Sequence, residues 1–249
     1  MSARFEELDW QTTPMGEISL RRRQEPTLQV DVYEVRLGDE FLMSSLFTVA
    51  EVALATLALA TLALATPGLA ELAGDDLDVV VGGLGLGYTA RAVLADPRVR
   101  SLEVVEALGE VIGWHERALL PHAADMTADP RCRLVHGDFF ALVAAGSPFR
   151  AGGPIRHHAI LVDIDHTPDH VLHPSHAAFY EPEGLRRVVG RLQPGGVFGL
   201  WSDAPPDATF LAVLATVFET AEAHVVPFAN HHTSGESTNT VYLARATAP

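Results

Sequence analysis

LDVVVGGLGLGYTARAVLADP, residues 77–97, opens as an apolar run, turns through alternating glycines and resumes with helical spacing. Val79, Val80 and Val81 are consecutive and β-branched, which suits a strand covered on both faces. Gly82, Gly83, Gly85 and Gly87 follow at its carboxyl end. Glycines there permit a tight strand-to-helix turn and let backbone N–H groups approach a ligand closely. The helix that follows ends at Asp96-Pro97, because the residue before a proline is pushed out of the helical region.

The same rhythm repeats towards the C-terminus. SLEVVEA (101–107) reads as a strand and GEVIGWHERALL (109–120) as a helix. CRLVHGD (132–138) and the apolar AILVDID (159–165) read as two more strands. A helix is expected over about 177–191, a turn and strand over 193–202, and a helix over 207–221. Strands at 225–230 and 239–246 close the chain; only a loop joins them, so they pair antiparallel. Strands alternating with helices at this spacing give a doubly wound parallel sheet.

Towards the N-terminus the character changes. Residues 1 to about 45 read as short strands; TLQVDVYEVRL (27–37) alternates with period two and Leu37-Gly38-Asp39-Glu40 makes a turn. Arg21-Arg22-Arg23 reads as a solvated turn. Between Glu51 and Glu71 no residue is charged. That run approaches bilayer length, but it is rich in Ala and Thr, is broken at Pro67-Gly68 and has acidic flanks. It reads as a buried helix ending near that Pro-Gly pair. The expected organisation is a small β-strand domain over 1–47 and an α/β domain over 48–249.

The whole chain has 249 residues, 48% hydrophobic and 20% charged, which suits a packed core. Its net charge is −15, and all 17 basic residues are arginine. Absence of lysine removes Schiff-base chemistry, pyridoxal phosphate attachment and a Walker-A lysine. The negative balance argues against a nucleic-acid partner. The lone Cys132 allows no intramolecular disulfide and no zinc ribbon. MSARFEELDW carries no export pattern, so a cytoplasmic location is expected and no membrane partner.

Glu106 ends the second strand of the α/β part, about twenty residues beyond the glycine turn. A carboxylate there can accept hydrogen bonds from both hydroxyls of a ribose. Gly137-Asp138-Phe139 follows the third strand; Asp138 can accept from an adenine amino group while Phe139 covers the ring. These elements occupy the carboxyl ends of successive strands, where such sheets bind nucleotides. The cofactor-binding candidates are therefore Gly82, Gly83, Gly85, Gly87, Glu106, Asp138 and Phe139. A separate carboxylate for the adenine, and no second half-fold for a nicotinamide, favour an adenosyl sulfonium over a dinucleotide.

At these residues the chain resembles the polyamine aminopropyltransferases, the spermidine synthase family of class I S-adenosylmethionine-type transferases. The resemblance runs from about residue 28 to the C-terminus. It rests on residues 79–112, on RLVHGDFFAL (133–142), on AILVDIDHTP (159–168) and on LRRVVGRLQPGGVFGLWS (185–202). It implies a Rossmann-like class I methyltransferase fold: a seven-stranded, mostly parallel sheet with an antiparallel last strand, plus a small N-terminal β-domain. It also implies a homodimer, a ribose held by Glu106, an adenine held by Asp138, and Asp163 as base for an attacking amine. Asp165 and His166 are the second choices for catalysis.

The departures bear on the substrate. The family's turn usually reads GGGDGG, with an aspartate that grips the amine of decarboxylated S-adenosylmethionine; Gly85 stands there. The family's tyrosine before a glutamate is replaced by Phe47-Thr48-Val49-Ala50-Glu51, and its DSSDP loop by Asp163-Ile164-Asp165-His166-Thr167-Pro168. An acid beside the donor's tail repels the carboxylate of intact S-adenosylmethionine, and Gly85 removes it. The expectation is a transferase that alkylates a small, amine-bearing acceptor from S-adenosylmethionine, of methyltransferase type. The alternatives are a true aminopropyltransferase using decarboxylated S-adenosylmethionine, a nucleoside-binding homologue without turnover, and a metal enzyme. The last rests on His166, His170, His173 and His176. Pro168 and Pro174 keep these off one helical face, and no metal ligand is assigned.

Overall fold

The computed structural model describes residues 5–64, 76–231, 233 and 235–247. The expected stop at Pro67-Gly68 lies outside the described residues. Four antiparallel strands come first and form a sheet in chain order: β1 (Phe5–Thr13), β2 (Gly16–Glu25), β3 (Val30–Leu37) and β4 (Glu40–Ser44). Arg21-Arg22-Arg23 is not a turn but lies inside β2. Its register puts Arg22 opposite Glu6 and Arg21 opposite Glu7 and Glu34. Arg22 meets Glu6 at 2.6 Å and Arg23 meets Glu34 at 2.7 Å; opposite charges across strands let a basic triplet sit in a sheet.

Next come α1 (Val49–Leu64), β5 (Leu77–Gly82), α2 (Tyr88–Leu94), β6 (Val99–Glu106), α3 (Gly109–Glu116), α4 (Ala123–Ala128), β7 (Cys132–His136) and α5 (Phe139–Ala145). Then β8 (His157–Val162), a 3₁₀ turn (Pro174–Phe179), α6 (Pro182–Val189), β9 (Leu192–Ser202), α7 (Ala208–Ala215), β10 (Thr220–Asn230) and β11 (Gly235–Arg245) complete the chain. The seven-stranded sheet has the order β10-β11-β9-β8-β5-β6-β7. Neighbours from β9 to β7 are parallel, and β11 runs antiparallel to both β9 and β10.

Three helices differ from the sequence reading. The helix expected over 177–191 splits, because Pro182 holds Glu181 extended at φ −79° and ψ 159°. The helix expected to 221 ends at Ala215, because pairing of β10 with β11 reaches back to Thr220 and Arg245. The helix expected to 120 ends at Glu116, and Ala118 takes φ 53°. The short helices α4 and α5 had no clear signal.

The valine run of β5 faces both ways, as expected of a central strand. Val79 and Val81 pack with Ala159 and Leu161 against α1 to α4; Val80 packs with Ile160 and Val162 against α5 to α7. Leu54, Ala55, Ala58 and Leu59 bury one face of α1 in the first of these layers. Among the described residues no helix is long and apolar enough to cross a membrane.

The small sheet adds Ile18, Leu20 and Val35 to the same layer. A polar bolt supports it: the Trp114 indole N–H donates to Asp9 Oδ2 at 2.6 Å, and Arg117 meets the same oxygen at 2.5 Å. The strand order reverses between β5 and β8, so their carboxyl ends open a crevice. The small sheet roofs it, since Met15, Ile18, Val35, Leu37, Leu42 and Met43 line the space beneath.

Candidate functional site

The turn after β5 is locked to the end of β8. The Asp163 N–H donates to the Gly82 carbonyl at 2.8 Å. Gly83 takes φ 94°, and a Cβ there would overlap the Asp163 carbonyl, so only glycine fits. Glu106 ties the turn to β6. Its two oxygens accept the Leu84 and Leu108 N–H groups at 3.0 and 2.9 Å. Burial raises the Glu106 pKa, and these N–H donors pull it the other way. The Gly85 and Ala107 N–H groups add to these contacts, so ribose hydroxyls would share the carboxylate with the backbone.

Glu106, Asp138, Phe139, Phe140, Gly83, Gly85 and Asp163 line a cavity of about 300 Å³. Asp138 is exposed and caps α5, accepting the Ala141 N–H at 3.0 Å. Phe139 is 2% exposed and stacks on Phe149 at 5.5 Å, so most of its ring serves the core. Phe140 carries the His176 ring at 4.0 Å, and both border the cavity. Phe140 was missed from the sequence, where a second aromatic beside Phe139 was the available signal; His176 was read only as one of the histidine cluster.

A second cavity, about 400 Å³, adjoins the first. Both are bordered by Leu42, Met43, Gly85, Asp163, Ile164 and Leu172. The second adds the rings of Phe41, Phe47, Trp201 and Phe228, and the carboxylates of Glu51 and Asp203. Among the described residues no arginine borders it.

Gly85 sits at the junction. It has φ 47°, and a Cβ there would lie 3.0 Å from Met43 Sδ. The place where an acidic side chain would project is filled by a thioether from β4. The Gly85 carbonyl is fixed from behind by His115 Nε2 at 2.9 Å. Burial lowers the His115 pKa; a neutral ring facing a carbonyl must donate from Nε2. His115 thus does more than pack.

Asp163 meets the junction from β8. Thr89 Oγ1 donates to its Oδ2 at 2.6 Å and also lies 3.3 Å from the Glu51 carbonyl oxygen. Burial, then the charge of Asp163, pushes the Glu51 pKa up to about 8. Burial pushes Asp163 up to about 6, against the Thr89 hydrogen bond. Two carboxyl groups in one poorly solvated pocket cannot both ionise freely. Glu51 was not among the sequence candidates; its signal was a lone acid before a long uncharged helix.

Asp165 does not join this group and borders neither cavity. It is 1% exposed and accepts the Leu172 N–H at 2.7 Å, the Tyr180 hydroxyl at 2.7 Å and His176 Nδ1 at 2.9 Å. Its place is to anchor the loop that walls the first cavity. His166 stands at the rim of the second, 3.2 Å from Glu40 and 3.4 Å from Asp203. Among the described residues no three His, Cys, Asp or Glu side chains converge as a metal-holding group.

No protein-family model matches the chain. Solved structures do. Spermidine synthase from Thermotoga maritima is 16% identical over 98% of this chain and 74% of that one, with a TM-score of 0.68. A spermidine synthase in complex with the transition-state analogue AdoDATO is 16% identical over 98% and 73%, with a TM-score of 0.67. Human methyltransferase-like protein 13 in complex with SAH is 22% identical over 78% and 82%, with a TM-score of 0.53. The chain therefore has the spermidine-synthase-like class I fold: a seven-stranded mixed sheet with its last strand antiparallel, joined to a small N-terminal antiparallel sheet.

Proposed function

We propose that this protein is a transferase that binds an S-adenosyl sulfonium donor in the first cavity and alkylates a small amine held in the second. The observation that carries this reading is the meeting of the two cavities at Gly85 and Asp163, with the ribose-type carboxylate Glu106 in one and further carboxylates in the other. Glu106 would hold the ribose and Asp138 the adenine edge, beside Phe140 and His176. The neighbours bound to SAH and to AdoDATO support an adenosyl ligand of this kind.

A sulfonium carries its own good leaving group, so the protein has two tasks. It must align the acceptor nitrogen with the carbon–sulfur bond and remove a proton from the amine. Asp163 borders both cavities and serves as that base. The acceptor cavity has acidic groups and, among the described residues, no arginine, so it favours a cation such as an ammonium. Aromatic rings on its walls can also face a cation.

Two donors remain in view. Met43 at Gly85 leaves no acid in the turn to repel the carboxylate of intact S-adenosylmethionine, which favours methyl transfer from it. The carboxylates of the second cavity favour decarboxylated S-adenosylmethionine and aminopropyl transfer. Mass spectrometry of the spent nucleoside separates them. The protein is incubated with each donor and a panel of small primary amines. S-adenosylhomocysteine marks methyl transfer; methylthioadenosine formed from the decarboxylated donor marks aminopropyl transfer. Asp163→Asn should lower turnover by about 10²-fold or more while donor affinity stays within a few-fold. Unchanged turnover would remove Asp163 as the base.

A further inference from the structure

Glu51 adds more than negative charge to the acceptor cavity. It lies in the first turn of α1 and borders the second cavity beside Asp163. Among the described residues no arginine or histidine pairs with it, and its carboxylate is met only by its own backbone N–H. Among the described residues the Thr89 hydroxyl is the one side-chain donor to Asp163. The other titratable residues bordering the cavity are Tyr88, His166 and Asp203. His166 and Asp203 face each other at the rim. Tyr88 on α2 receives its charge contacts from Arg91, Glu51 and Tyr33. No fixed cation in this set compensates a second negative charge next to Asp163.

We propose that Glu51 and Asp163 share one proton in the empty site and release it when a sulfonium donor occupies the adjoining cavity, so that the general base forms only after the donor is seated. The inference rests on the donor reading above and deepens it. Its physical basis is the position of Asp163 and Gly85 at the junction of the cavities. A sulfonium there supplies the positive charge that the walls lack. Opposite charge at close range in a poorly solvated site favours the ionised form of both acids. The pair titrates as a unit, so the proton belongs to neither residue alone.

The chemistry then balances. The doubly ionised pair takes one proton from the acceptor's ammonium and returns to its singly protonated state. The freed lone pair on nitrogen forms the new nitrogen–carbon bond. The electrons of the breaking carbon–sulfur bond pass to sulfur, which leaves as a neutral thioether. The product amine keeps the remaining positive charge. With the sulfonium gone, the pair retains its proton and the site is reset.

The test compares a charged and an uncharged nucleoside. Decarboxylated S-adenosylmethionine and neutral methylthioadenosine are titrated calorimetrically at pH 7, in two buffers of different ionisation heat. The sulfonium should release between about half and one proton per site, and methylthioadenosine almost none. Glu51→Gln should still bind both and should lose the difference. Equal proton changes for the two nucleosides in the wild type would overturn the proposal, as would undiminished release in Glu51→Gln. The free protein gives an independent readout. Infrared difference spectra at pH 7 should show a protonated carboxyl band that Glu51→Gln removes, and its absence would overturn the shared proton without any nucleoside. A band present in a protein that binds neither nucleoside would instead reject the donor reading, and with it the donor-triggered release.

Discussion

Glu51 shows how one residue can link stability to the site. Burial beside Asp163 pushes its carboxyl pKa up to about 8 in the folded protein, from the ordinary 4.5 of a glutamate in the unfolded chain. Between these values the folded state binds more protons, so this group's contribution to stability is fully present below pH 4.5 and is lost as the pH rises through 8. Glu51→Gln cannot ionise and escapes that loss. Thermal unfolding should find the variant no more stable than the wild type near pH 4.5, and more stable by about 2 kcal/mol above pH 8, less than the full shift implies because the side chain keeps some solvent. A stability difference independent of pH would mean that Glu51 is not held protonated. Gly85 carries the complementary lesson: its side-chain space belongs to Met43, so an aspartate introduced there would first have to displace a thioether.

At the scale of elements, the strands of the large sheet and the glycine turn were legible because their residues answer to local rules. Val79 to Val81 pack on two faces, and Gly83 adopts a positive φ against the end of β8. Glu106, Asp138 and Asp163 were legible for the same reason, since each ends or follows a strand. Helix ends were less so: α7 yields to the pairing of β10, a long-range effect that periodicity does not encode. Asp165, expected at the site, lies outside both cavities, and Glu51, not among the candidates, borders one, for a related cause. Two positions beyond Asp163 the chain has turned into a loop, where Tyr180 and His176 claim Asp165, while α1 brings Glu51 from over a hundred residues away. The uncharged run of α1 is core material. Leu54 is fully buried, so Leu54→Ala should cost about 2–4 kcal/mol in chemical denaturation. A cost below about 1 kcal/mol would show that α1 is not packed into the sheet as described.

At the scale of the whole molecule, two sheets divide the work. The seven-stranded sheet supplies the carboxylates at the ends of β6 and β8. The four-stranded sheet roofs the crevice with Met15, Ile18, Val35, Leu37, Leu42 and Met43, held down by Asp9 against Trp114 and Arg117. Neither sheet alone encloses the first cavity. The net charge of −15 and the acidic second cavity act in one direction, drawing cations towards the junction at Asp163. If an adenosyl sulfonium sits in the first cavity on Glu106, its affinity depends on that carboxylate. The decisive experiment is calorimetric titration of the protein and of Glu106→Ala with S-adenosylmethionine and its decarboxylated form. Saturable one-to-one binding of at least one donor is expected, weakened about tenfold or more in the variant, which loses the acceptor for the ribose hydroxyls. No binding of either donor, or binding indifferent to Glu106, would contradict that placement.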